Sequence, residues 1–199
     1  MASPYALVTL TEAQEFLKMP EIEDADRNML SSLIDKVSLA IKKYTDRVLV
    51  VQSTSTTEYL SGNGTAKLIL HDWPVNSFTS LKIRDGSDFS SLSYNTTLTA
   101  NTDYVVDYES GIIRAVGVGM WDDGYRKYQA IYKPGYAANA IPDDLKLGTL
   151  ITIQSLWKKI NTGMFSTTSQ QIGDINLVYS QELFPDEAKR LIDNYRRLY

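Results

Sequence analysis

The stretch Ile141-Pro142-Asp143-Asp144-Leu145-Lys146-Leu147-Gly148-Thr149-Leu150-Ile151-Thr152-Ile153 decides the architecture, because helical periodicity returns there after a long sheet-like segment. Asp143 and Asp144 suit the first turn of a helix, where carboxylates offset the exposed N–H dipoles. Leu145, Leu147, Leu150, Ile151, Ile153, Leu156, Trp157 and Ile160 then leave little room for a wet face. Such a helix is expected inside a bundle or between subunits, with Leu147, Leu150, Ile151 and Trp157 as bundle-core or interface residues.

Downstream, a second helix is expected to begin at Pro185-Asp186-Glu187 and to end at Arg196-Arg197-Leu198-Tyr199. Ala188, Leu191, Ile192 and Tyr195 fall on one stripe, and Lys189, Arg190, Arg196 and Arg197 lie elsewhere. Only Ser166 to Phe184, a polar connection with one strand, ties this helix to the body, so it reads as a detached docking arm. That organisation points to assembly rather than chemistry.

Upstream, Thr11 is the expected N-cap of a short helix from Glu12 to Lys18, which Pro20 closes. Asp24 or Asp26 caps a longer helix to about Tyr44, with Leu30, Leu33, Ile34, Val37, Ile41 and Tyr44 on one face. From Arg47 the pattern turns to period two and β-branched residues: Val48 to Val51, Thr54 to Leu60, Lys67 to Leu70, Ser80 to Arg84 and Lys127 to Tyr132. Tyr104 to Asp107 and Ile112 to Arg114 flank Glu109-Ser110-Gly111 as a hairpin, and Ser87 to Asn101 reads as a long exposed loop. The expected fold is therefore α+β. Residues 1–46 and 142–165 form a discontinuous bundle of three to four helices, residues 47–141 an inserted antiparallel β domain, and residues 166–199 a loop, strand and C-terminal docking helix.

Composition narrows the function. A chain of 199 residues can bury roughly 70% of its unfolded surface. It contains no cysteine, which removes disulfides, thiolate metal sites and cysteine nucleophiles. No run is long enough to span a bilayer and no signal-peptide pattern opens the chain, so synthesis in the cytoplasm without membrane contact is expected. Twenty Lys and Arg against 24 Asp and Glu give a net charge of −4, which disfavours tight binding to DNA. Tyrosine (13) outnumbers phenylalanine (5), a choice suited to half-wet strand faces and subunit contacts.

The chemical candidates have simpler structural readings. His71, the only histidine, stands beside Asp72, but neighbours on a strand point to opposite faces, so it more simply ends a strand. Gly62-Asn63-Gly64-Thr65-Ala66-Lys67 lacks the glycine spacing of a phosphate loop and leads into a strand. Asp122-Asp123 precedes Gly124 as turn chemistry, and Asp143-Asp144 opens a helix. No catalytic residue, metal or cofactor is expected.

The succession of short segments carries more information than any one of them. Leu7-Val8-Thr9-Leu10-Thr11-Glu12-Ala13 with the Leu30 to Arg47 helix, Tyr59-Leu60-Ser61-Gly62-Asn63-Gly64, and Leu68-Ile69-Leu70 with Trp73-Pro74-Val75 come first. Val106-Asp107-Tyr108 to Gly111-Ile112-Ile113, Gly135-Tyr136-Ala137 and Ile141-Pro142-Asp143-Asp144-Leu145-Lys146 follow, then Ile172-Gly173-Asp174 through Val178-Tyr179-Ser180 and Leu191 to Leu198. In this order, over nearly the whole chain, they resemble the head-tail connector, or adaptor, proteins of long-tailed phages. The resemblance implies a non-enzymatic virion subunit of the neck, assembled as a ring, commonly dodecameric, beneath the portal protein. The ring would extend the channel through which genomic DNA passes without sequence-specific contact, and offer a platform to the next neck or tail-completion protein. It further implies that Pro185 to Tyr199 engages the portal through Ala188, Lys189, Arg190, Leu191, Ile192, Tyr195, Arg196, Arg197, Leu198 and Tyr199.

A rival reading from another class is a carbohydrate-binding or hydrolytic β-rich module with Trp73, Trp121 and several tyrosines as stacking platforms. It lacks a convincing carboxylate pair.

Overall fold

A computed structural model describes residues 4–84, 93–117, 119–163, 169–172, 175–178 and 183–197. The chain divides into two compact units, Met1–Arg47 with Ile141–Tyr199, and Val48–Ala140. Helices occupy the first and antiparallel sheets most of the second, an α+β fold.

The helical unit starts with α1 (Leu10–Leu17), whose cap is Thr9, two residues before the expected Thr11. Thr9 Oγ1 accepts from Glu12 N at 3.1 Å and Glu12 Oε2 accepts from Thr9 N at 2.6 Å. Reciprocal satisfaction of two orphan donors closes this capping box; Thr11 with Gln14 has the same spacing but a neutral partner, and it lies inside the helix. Helix α2 (Asp24–Thr45) buries Leu30, Leu33, Ile34, Val37 and Ile41, as its periodicity requires. Helix α3 (Asp143–Thr162) and α4 (Asp186–Asp193) start as their Pro-Asp signals predict. Between them lies a hairpin of Ser169–Ile172 with Ile175–Val178, where one strand was expected.

The β unit contains β1 (Thr56–Gly62), β2 (Lys67–Ile69), β3 (Val75–Ile83), β4 (Thr96–Leu98), β5 (Tyr104–Asp107), β6 (Ile112–Ala115) and β7 (Gly124–Pro134). They form one sheet in the order β1-β7-β3-β4 and another in the order β2-β6-β5, antiparallel throughout. Leu60, Leu68, Leu81, Ile113, Trp121, Tyr128 and Tyr132 fill the core of this unit. The segment Val48–Val51, expected as a strand, makes only a bridge at Val50–Tyr136, fixed by Val51 N to Tyr136 O at 3.0 Å. Gly135, with φ +99°, lets the two backbones meet there, since a Cβ on it would lie 2.6 Å from the Val50 carbonyl carbon. Within the expected Ser87 to Asn101 loop, Thr96–Leu98 pairs with β3, and residues 87–92 lie outside the described residues.

Candidate functional site

The residues expected at interfaces cluster on α3 and α4, and the structure gives them distinct places. One face of α3 buries Leu145, Gly148, Thr149, Thr152, Ile153 and Trp157. The two threonine hydroxyls are satisfied within the helix, Thr149 donating to Leu145 O and Thr152 to Gly148 O, each at 2.8 Å. Leu147, by contrast, is 42% exposed, and Leu150 and Ile151 are half-buried. Spaced i, i+3 and i+4, these three form an outward apolar stripe. Trp157 is thus a core residue and the other three are surface residues.

Helix α4 does not stand off as an arm. Ala188 and Ile192 are fully buried. Gly148 makes the room: a Cβ there would lie 3.1 Å from Ile192 Cγ1 and 3.3 Å from Ala188 O. A helix only two turns long cannot hold itself together in water, so its apolar stripe is drawn onto the nearest helix with a matching groove. Polar contacts complete the clamp. Tyr195 donates its hydroxyl to Asp144, and Arg47 Nη1 reaches Tyr195 O at 3.1 Å. Tyr44 donates to Asp193 Oδ1 at 2.5 Å, and Arg197 N donates to Thr45 O at 3.0 Å. The bond to Asp193 holds the Tyr44 hydroxyl above its usual pKa, with burial adding to it. Lys189, Leu191, Tyr195 and Arg197 are half-buried, Arg190 and Arg196 exposed, and Leu198 and Tyr199 lie outside the described residues.

Glu12 ties α1 to α3 through Lys146 Nζ at 2.8 Å. Burial pushes the Glu12 carboxyl up, but the bonds from Lys146 and Thr9 outweigh it and leave its pKa below the usual glutamate value.

The chemical candidates serve the fold. Glu58 accepts from the Tyr132 hydroxyl at 2.7 Å and from His71 N, while Asp72 Oδ1 accepts from Val48 N at 3.1 Å. His71 Nδ1 lies 3.5 Å from Asp72 Oδ2, with half its side chain in solvent. Burial and the Glu58 carboxylate drive the Tyr132 hydroxyl far above its ordinary pKa, so it stays a neutral donor. Asn63 Oδ1 accepts from Thr65 N at 3.1 Å, an Asx turn leading into β2. Asp122 pairs with Lys127 at 2.9 Å. Trp121, a stacking platform in the rival reading, is 4% exposed and donates Nε1 to Ile113 O at 3.3 Å. Among the described residues, no group of three or more His, Asp or Glu is placed to hold a metal, and no helix is long and apolar enough to cross a membrane.

A family model described as head completion protein matches residues 6–198. No curated protein matches the sequence. Solved structures do resemble it. A chain from the neck of an empty gene transfer agent particle, computed with C6 symmetry, superposes with a TM-score of 0.60 at 18% identity, over 100% of this chain and 94% of that one. A chain from the virion of a native gene transfer agent particle gives 0.61 at 16% identity, over 100% and 94%. A chain from the neck of a native particle, computed with C12 symmetry, gives 0.57 at 18% identity, over 100% and 93%.

Proposed function

Because the chain belongs to the head completion protein family, we propose that it is a structural adaptor in the neck of a tailed phage, forming a ring beneath the portal. The ring extends the DNA channel and presents a platform to the next neck or tail-completion protein. The observation that carries this reading is the family match across residues 6–198, joined by whole-length similarity of fold to chains from necks solved with C6 and C12 symmetry. Twelve copies is the stoichiometry we adopt from the second of these.

The outward stripe of α3 supports a ring seam. A closed ring joins each subunit to the next by two different surfaces, so an apolar stripe is covered once per copy without a twofold partner. Leu147, Leu150 and Ile151 are assigned to that seam. Portal contact is assigned to the outer side of α4, through Lys189, Arg190, Leu191, Tyr195, Arg196 and Arg197, and to Leu198 and Tyr199 beyond it. Ala188 and Ile192 act behind this surface by holding α4 on α3. The rival sugar-binding reading has no support in the β unit, where Trp121 is part of the core.

Electron microscopy of the purified chain mixed with portal-bearing, neckless capsids tests the assignment. A ring at the portal vertex is the expected result. A chain that neither self-associates nor occupies the vertex would overturn it.

A further inference from the structure

The outer face of the four-stranded sheet is chemically unlike the rest of this acidic chain. The register places Thr57 and Tyr59 of β1, Gln129, Ile131 and Lys133 of β7, Ser80 and Lys82 of β3, and Thr97 of β4 on the side away from Leu60, Leu81, Ala130 and Tyr132. No carboxylate occupies any of these positions; Glu58 points inward to Tyr132. Lys82 and Lys133 are bonded through their backbones in the ladder, and their ammonium groups have no hydrogen-bond or ion-pair partner among the described residues.

A third cation is held in place at one end. Arg126 N donates to Ser61 Oγ at 3.0 Å and Arg126 O accepts from the Tyr94 hydroxyl at 2.6 Å, which together support a backbone φ of +47°. Its guanidinium lies over the Tyr59 ring, 4.7 Å from the centroid. Tyr59 in turn accepts from Gln129 Nε2 at 3.4 Å, so the same face carries this pair. Lys82 sits beside Gln129, and Lys133 four residues further along β7, about 14 Å away at the usual strand rise.

We propose that this face is a weak, sequence-blind docking surface for the phosphate backbone of duplex DNA. Three cations, flanked by hydroxyl and amide donors and paired with no carboxylate among the described residues, where Asp122 is engaged by Lys127, complement a line of phosphates and offer nothing that reads base edges. The surface needs no ring, so it is testable on the free chain, and its failure would leave the adaptor reading intact. The functional sense rests on that reading. A duplex moving past many copies is guided best by contacts that form and break quickly, and net charge −4 keeps each contact weak.

Fluorescence anisotropy of a labelled short duplex, titrated with the full chain at several salt concentrations, decides the matter. With three phosphates neutralised, the slope of log affinity against log salt should be about −2.7, so affinity falls about forty-fold between about 50 and 200 mM salt. In Lys82→Glu/Lys133→Glu the slope should shrink towards about −1 and affinity drop at least about ten-fold. Lys36→Glu/Lys43→Glu, an equal charge change on α2, should bind like the parent. Lys82→Gln/Lys133→Gln, checked by thermal melting, gives the same answer without introduced repulsion. Absence of binding at low salt, or equal loss in the α2 variant, overturns the proposal. So does altered self-association of the Lys82 and Lys133 variants without any DNA binding, which would make the face a contact between copies.

Discussion

Gly148 of α3 and Ile192 of α4 meet where no further side chain fits: a methyl group at residue 148 would stand 3.1 Å from Ile192 Cγ1. Glycine inside a helix costs about 1 kcal/mol relative to alanine, so close approach of α4 is what the residue provides. Gly148→Ala needs a shift of a few tenths of an ångström and regains helix propensity, leaving stability within about 1 kcal/mol of the parent. Gly148→Leu overfills the groove and should cost about 1–3 kcal/mol, read from the denaturant midpoint. If the leucine variant melts with the parent, α4 is not seated on α3.

The same contact ranks the residues of α4. Ile192→Ala removes a fully buried side chain and should destabilise the chain by about 2–4 kcal/mol. Arg190→Ala, on the exposed side, should change stability by no more than about 0.5 kcal/mol. In a pull-down with portal, Leu191→Asp should weaken attachment more than Arg190→Ala, because apolar area outweighs an exposed charge. The reverse order in the pull-down would make the contact electrostatic.

Much of the scaffold was legible because local signals and burial agree. Leu30, Leu33, Ile34, Val37 and Ile41 announce the core face of α2 by spacing alone, and Pro142 and Pro185 mark helix starts. The inward face of α3 was not legible in its hydrophobicity. Thr149 and Thr152 are buried with hydroxyls bonded to their own helix, while the more apolar Leu147 faces out. Nor could counting apolar residues show α4 lying on α3. The usable signal was the small pair Gly148 and Ala188, which permits close approach of two helices. Lys82 and Lys133 share a face through β3–β7 pairing, and Arg126 joins them through the irregular β1–β7 pairing beside Ser61 and Tyr59, so their sequence separation conceals the cluster.

Acid should loosen the tie between α1 and α3. The folded pKa of Glu12 lies below its unfolded value near 4.5, so folding favours the carboxylate. Its stabilisation is complete above that value and drains away as pH falls through the folded pKa. Since the pair is partly solvated, the contribution is under about 1 kcal/mol. The stability gap between parent and Glu12→Gln should therefore be larger at neutral pH than at about pH 3, measured by urea unfolding. A gap independent of pH would place the role of Glu12 in packing rather than charge.

Leu147 separates folding from assembly. At 42% exposure it contributes little to the core, so Leu147→Glu should shift stability by no more than about 0.5 kcal/mol. In a ring seam the same substitution buries an unpaired carboxylate in every one of the contacts between neighbours, and a closed ring multiplies the penalty by its number of subunits. The variant should thus melt like the parent yet fail to form rings on portal-bearing capsids when imaged by electron microscopy. Trp157→Ala provides the contrast: its ring is buried within one subunit, so it should lower stability by about 3–5 kcal/mol and impair assembly only as far as it impairs folding. Normal rings from Leu147→Glu would move the seam off α3, because no packed apolar interface absorbs a repeated buried charge unnoticed.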